Sequence, residues 1–376
     1  MRTPIYLFVS VLFFMASSCS NPVKKKQEES TRNYNPEYAK FFRIEYFESY
    51  KKVVIFNPWE NESLNMEYYI PHSGAKNIEN LEHSFVIKEI PKKVVALSSP
   101  MVGMLNLLEL VQHIKGVTDP DLIYNEKILA RIKSGHIENV GKAIQINMEQ
   151  MMVLQPDLVI GSGWDKLSAD YEKMIQLKMT PLLMYDWKEQ HPLGKAEWMV
   201  LLASFFNVEE RAISIFEEIK NKYNEQKESL KFDKQPVVFN GSEYQGIWYS
   251  AGGKSYMAQL IADASGNYLM KQDSSSGSLM LDFEVLMSKA SKADIWMYTG
   301  ASSEDRLGLF NSPKYQSLAA IRTHRVYSYH KRLNEFGAND YWETASFRPD
   351  IVLEDLNKIF HSSEPKGMYY FEKVQY

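Results

Sequence analysis

Apolar residues change their spacing along the chain, and each change predicts a different kind of structure. From Phe41 to His83 they alternate with polar residues, as at Phe42, Ile44 and Tyr46, and the run Val53-Val54-Ile55-Phe56 is stopped by Asn57-Pro58. A period of two marks half-buried strands, so residues 34–90 are expected to form a β-rich leader packed on the first lobe of the fold. Beyond it come unbroken apolar runs: Val94-Val95-Ala96-Leu97, Leu158-Val159-Ile160 and Leu182-Leu183-Met184-Tyr185. Helical spacing, for example at Met101, Leu105 and Leu108, fills the intervals. Strands that are apolar throughout are covered on both faces, and their alternation with helices predicts parallel sheets. After residue 235 the alternation returns with Val237-Val238-Phe239, Ile295-Trp296-Met297-Tyr298 and Val326-Tyr327-Ser328-Tyr329.

Between the two sets lies a helical stretch from about Lys195 to Leu230. Its second part places Ala212, Ile215, Phe216, Ile219 and Tyr223 on one face, with Glu217, Glu218, Lys220 and Lys222 off it. At ~1.5 Å per residue the run from Glu209 to Leu230 reaches about 30 Å, enough to bridge two lobes. The expected fold is therefore α/β: two three-layer lobes with mainly parallel sheets, over 91–208 and 232–376, joined by one long helix over 209–231. In such sheets ligands bind beyond the carboxyl ends of the strands, which directs attention to the loops there.

The amino terminus changes where this fold would work. Arg2 precedes an apolar run from Ile5 to Met15 that is too short to span a bilayer, and Ala16-Ser17-Ser18 leads to Cys19, the sole cysteine. The segment resembles a bacterial lipoprotein signal: a signal peptide over 1–18, lipidation of Cys19, and a polar tether over 19–33. A lone cysteine also rules out a disulfide within the chain. The expected location is the periplasmic side of the envelope, with the membrane reached through the lipid. With 43 basic and 47 acidic residues the net charge is -4, and no basic excess exists to attract nucleic acid.

One local pattern occurs twice. Asn147-Met148-Glu149-Gln150 leads through a short helix to Pro156-Asp157-Leu158-Val159-Ile160 and then glycine; Asp282-Phe283-Glu284-Val285 leads to Ala293-Asp294-Ile295-Trp296-Met297 and Gly300. Glu149 and Glu284 thus share an offset from a capping residue, in the first turn, where the helix dipole favours a carboxylate. Either glutamate alone would simply favour helix initiation. The pair suggests two lobes of similar design, each offering one acidic side chain to a partner with basic pockets.

These segments, with Val94 to Pro100, Gly116-Val117-Thr118 and Leu154-Gln155-Pro156-Asp157, resemble the class III periplasmic binding proteins of iron-siderophore, haem and cobalamin ABC importers, over roughly residues 94 to 360. The resemblance implies a carrier, not an enzyme, that works as a monomer, needs no cofactor, and delivers its ligand to an ABC permease through Glu149 and Glu284. It also implies that the helix from Glu209 to Leu230 links the lobes. Two features depart from the family: Ser265 stands where glycine is usual, and the β-rich leader lies outside the common core.

Candidate ligand contacts come after the predicted strands: Ser98 and Ser99, Trp164, Asp186 and Trp187, Asn240, Tyr244, Trp248, Tyr298, and Tyr341 and Trp342. Aromatic groups give a bulky ligand large, stiff contact area, although some of these are expected in the core. Arg332 and Arg322 could pair with carboxylates of an iron complex, although surface solvation is the commoner role for either one alone. The expected ligand is a ferric siderophore or another metallo-organic complex, with haem and cobalamin as alternatives. Eight histidines include no close helical pair, which argues against a bare metal ion. Gly252-Gly253-Lys254-Ser255 has Trp248 where a phosphate loop needs glycine, and no Gly-x-Ser-x-Gly elbow occurs. A secreted hydrolase or an adhesion lipoprotein is the remaining rival.

Overall fold

The computed structural model describes residues 29–59, 65–72, 84–229, 235–300, 310, 312–313 and 315–376. The expected signal peptide and Cys19 lie outside them, as does most of the tether; its last residues instead begin a strand. Three large sheets and a two-stranded ribbon organise the described chain. The leader forms β1 (Arg32–Tyr34), β2 (Phe42–Tyr46), β3 (Tyr50–Ile55), β4 (Met66–Pro71) and β5 (Ser84–Val86), side by side in that order. Its inward face is anchored at several points. Phe42 meets the edge of Trp198, Tyr68 donates to the Pro181 carbonyl at 2.7 Å, and the buried Lys51 ammonium pairs with Glu209 and Asn207.

The first lobe carries β6 (Val94–Ala96), α1 (Ser99–Leu107), β7 (Ile114–Val117), α2 (Glu126–Lys133), β8 (Glu138–Asn139), a ribbon of β9 (Gly141–Lys142) and β10 (Gln145–Ile146), α3 (Met148–Leu154), β11 (Leu158–Ser162), α4 (Ala169–Gln176) and β12 (Pro181–Met184). Its sheet, in the order β12-β11-β6-β7-β8, is parallel throughout. Every residue of β6 and β12 is buried, which explains their unbroken apolar sequences.

The helical stretch expected from Lys195 onward is two helices, α5 (Pro192–Ser204) and α6 (Glu209–Ser229). The chain breaks between them because Phe205 and Phe206 turn into the core and Asn207 adopts a left-handed conformation, φ 56°. Helix α5 is buried on all sides, packed on β2, α6 and the second lobe. Its buried Glu197 accepts the backbone N–H groups of Glu37, Tyr38 and Ala39, each at 2.8 Å, and the Tyr34 hydroxyl at 2.9 Å. Four donors on one carboxylate fix the leader to the first lobe.

The second lobe contains β13 (Val237–Tyr244), β14 (Ile247–Ala251), α7 (Tyr256–Asp263), β15 (Asn267–Tyr268), β16 (Ser278–Leu281), α8 (Phe283–Ala290), β17 (Ile295–Tyr298), α9 (Ala319–Arg322), β18 (Val326–Ser328), α10 (Asp340–Thr344), α11 (Pro349–His361) and β19 (Glu372–Lys373). Its seven-stranded sheet runs β16-β14-β13-β17-β18-β19 with β15 beside β13. The central strands β13, β15, β17 and β18 are parallel, and the outer three are antiparallel. Ser265, which departs from the family's usual glycine, has φ 55° just past α7, so the backbone there takes the turn that glycine adopts most easily.

Helix α6 ties both lobes: Arg211 donates to the Leu108 carbonyl, and near the other end Tyr223 donates to Asp263 at 2.6 Å. A second joint lies between α1 and α10. A Cβ on Gly103 would fall 2.1 Å from the Glu343 carbonyl oxygen, so this close approach requires glycine. The Glu343 carboxylate, 1% exposed, accepts the Tyr124 backbone N–H at 2.6 Å and, weakly, that of Asn125. Burial pushes its pKa up to about 7, and the two N–H groups only partly offset that rise.

That raised pKa makes the joint sensitive to pH. Below pH 4.5 the carboxyl is protonated whether folded or unfolded; between 4.5 and about 7 only the folded state keeps the proton, so its contribution to stability falls as pH rises. A Glu343→Gln protein should match the parent at pH 4.5 and exceed it by roughly 3 kcal/mol above pH 7 in urea titrations. Equal stability at both pH values would contradict this account.

Candidate functional site

A cavity of about 730 Å³ opens where the carboxyl ends of the parallel strands of both lobes face each other. The first lobe contributes Ser98 after β6, Ser162 at the end of β11, the segment 186–190 after β12, and Lys195 of α5. From the second lobe come Asn240 in β13, Tyr249 to Ala251 in β14, the start of α7, Tyr298 and Thr299 after β17, and Tyr329 after β18. Tyr341 and Trp342 of α10, with Ala345 and Ser346, complete the wall. Tyr329 and Tyr341 stack at 4.8 Å with planes 16° apart, and Trp342 meets Tyr329 edge-on at 5.2 Å. Ser255 is fixed by its role as the α7 cap, accepting the Ala258 N–H, so Gly252-Gly253 is the turn that starts this helix.

Of the residues singled out from sequence, Ser98, Asp186, Trp187, Asn240, Tyr298, Tyr341 and Trp342 line this space. The others are placed differently, each for a physical reason. Trp248 is wholly buried, packed in the core among Phe239, Trp296 and Tyr315 and outside the lining. Tyr244 is 64% exposed, at the tip of the β13–β14 hairpin. Ser99 opens α1 and yields the wall to its neighbours Ser98 and Pro100. Trp164 packs against Trp187 with ring centres 4.7 Å apart and planes tilted by 46°, and remains 56% exposed, outside the lining. Arg332 is engaged by Asp340 at 2.5 Å and lies over the Tyr369 ring, and Arg322 donates to the Ser317 carbonyl.

Sequence reasoning missed Lys195 and Ser346. A signal for Lys195 existed: it and Glu197 are the only charged residues in α5, whose other residues are apolar or small. Lys195 reaches the cavity, where its ammonium lies 5.0 Å from the centre of the Tyr256 ring. Burial lowers its pKa, and burial raises that of Asp186 across from it, while each charge works against the other's shift.

Glu149 and Glu284 are both exposed, in the first turns of α3 and α8. Asn147 caps α3 by accepting the Gln150 N–H, whereas Asp282 makes no such side-chain bond. Each helix returns the chain to the amino end of a strand that ends at the cavity, so each glutamate starts on the side of its sheet where the cavity opens. Exposed apolar side chains flank both: Met152 and Val153 near the first, Met280 and Val285 near the second. Among the described residues, no group of three or more His, Cys, Asp or Glu side chains could hold a metal ion, and no helix is long and apolar enough to cross a membrane.

Residues 94–333 match the family model of the periplasmic binding proteins. An uncharacterised lipoprotein of Methanocaldococcus jannaschii is 23% identical over 93% of this chain and 87% of its own length. Among solved structures, one named as a possible iron-binding, periplasmic solute-binding protein of Staphylococcus epidermidis is 18% identical, with a TM-score of 0.56 over 73% of this chain and 100% of that one. A periplasmic haem-binding protein of Roseiflexus is 16% identical and superposes with a TM-score of 0.57 over 72% of this chain and 98% of its own.

The placement of the tryptophans gives a direct test. Trp248→Ala should cost about 3–5 kcal/mol in a urea melt, as truncation of a core aromatic does. A loss below about 1 kcal/mol would show that the residue packs too loosely to belong to the core.

Proposed function

Because this chain belongs to the periplasmic binding protein family, whose members are solute-binding transport proteins of ABC importers, we propose that it captures an iron complex of the siderophore type and delivers it to a permease. The observation that carries this reading is the cavity between the lobes, whose volume of about 730 Å³ suits one bulky small molecule. Its wall mixes aromatic faces with hydroxyl groups, which suits a chelate with an apolar rim and polar ligating atoms. A flat macrocycle such as haem or a corrinoid is the second reading, favoured by the stacked Tyr329–Tyr341 pair.

In this reading the mature protein works as a monomer held to the membrane by lipid on Cys19; the lipoprotein name of the Methanocaldococcus relative supports the anchor. Glu149 and Glu284 dock on basic pockets of the permease, with the neighbouring exposed apolar side chains completing each contact. The cargo leaves unchanged, since carriage needs no chemistry.

A tryptophan-fluorescence titration against ferric siderophores, haem and cobalamin should give saturable binding for one of them, reported by Trp187 and Trp342 in the wall. No response to any of the three would contradict the reading. Reversing Glu149 and Glu284 together to lysine should leave affinity within about twofold and abolish uptake by cells. Collapse of affinity would instead assign these residues to the pocket.

A further inference from the structure

Two polar atoms in the cavity wall are buried without partners. Asp186, 5% exposed, leaves its Oδ1 without a hydrogen bond, and Ser346 Oγ in the other lobe is likewise bare. Near the carboxylate, Lys195 makes no ion pair among the described residues and rests on Tyr256 instead. The two charged groups feel each other without touching, so neither satisfies the other. The remaining charged groups of the wall are already engaged. Glu189 accepts the Lys40 N–H and the Trp198 indole N–H, while Lys188 lies 4.5 Å from the centre of the Trp59 ring. Among the described residues the wall thus holds two carboxylates and two ammonium groups, with no formal excess of either sign.

A buried carboxylate oxygen without a partner, with an ammonium in the same wall that makes no ion pair, suits a ligand with a donor beside an acceptor. A ligand bearing several uncompensated charges would have to shed its water without gaining a counter-charge. We propose that the cargo is a metal chelate of low net charge with amide-like groups on its rim, and that Asp186 and Lys195 hold one such group by its N–H and its carbonyl. This deepens the transport reading and rests on it. A ferric tris-hydroxamate built on a peptide has these properties: three singly charged hydroxamates cancel the ferric charge, and its backbone amides supply both functions. A ferric tris-catecholate keeps a threefold negative charge, and haem carries two carboxylates.

The test titrates the full-length mature protein with a cyclic-peptide ferric tris-hydroxamate, a ferric tris-catecholate and haem. The hydroxamate should bind at least about a hundredfold more tightly than the catecholate. Asp186→Asn, which leaves the wall with a positive excess, should weaken hydroxamate binding about tenfold and narrow the gap to the catecholate. Lys195→Met should weaken it about as much and widen the gap. Circular dichroism and melting confirm that each variant is folded, and the ranking of the three probes on the parent protein stands without them. Tighter binding of the catecholate or of haem overturns the inference and leaves the transport reading intact. Hydroxamate affinity unchanged in both variants also overturns it. Binding of no probe overturns the transport reading and the inference together.

Discussion

Burying α5 is the constraint on which the rest of this structure depends. Thirteen residues of helix lie at the meeting point of the leader, both lobes and α6, and nearly every one is shielded from water. An all-apolar helix there would cost nothing electrostatically, yet this one carries Lys195 and Glu197. Two residues apart on a helix, they point about 200° away from each other, so they serve opposite sides. Glu197 is answered at once by three backbone N–H groups and a tyrosine hydroxyl of the leader. Lys195 turns to the cavity and finds an aromatic face and a nearby carboxylate, but no direct partner.

That difference divides the labour between the two sides of the helix. On the leader side a buried charge is fully satisfied, and the result is rigid attachment: the β-rich extension is part of the first lobe's body, tied also through Lys51 to the start of α6. On the cavity side the charge is left open, as binding sites leave groups that a ligand will complete. The lobes are joined in two places, along α6 and at the α1–α10 contact where Glu343 caps Tyr124 and Asn125. Both joints flank the cavity, and Met101 and Trp342, neighbours of the second joint, line it. Each joint buries groups that would be costly to expose.

Much of this was legible in the sequence because it rests on local patterns. Continuous apolar runs such as Leu182 to Tyr185 identify strands covered on both faces, and the apolar stripe of α6 identifies its buried side. The repeated Asn/Asp-x-Glu pattern located the starts of α3 and α8. What failed was anything decided by which groups distant in sequence the fold brings together. Trp248 and Tyr249 are adjacent, yet only the second reaches the cavity, because Phe239, Trp296 and Tyr315 close around the first. Arg332 was a candidate partner for ligand carboxylates, and only the fold brings Asp340 and Tyr369 to it. Lys195 was hidden for the opposite reason: it sits in a stretch whose apolar character drew attention to packing alone.

In the proposed function, cargo sits between the lobes at the carboxyl ends of their strands, against α5. Crystals grown with a bound ferric chelate, measured at the iron absorption edge, locate the metal without assumptions about the ligand. An anomalous peak is expected inside the cavity bounded by Asp186, Lys195, Tyr298 and Trp342. A peak on the leader sheet, or on the outer surface of either lobe, would contradict it.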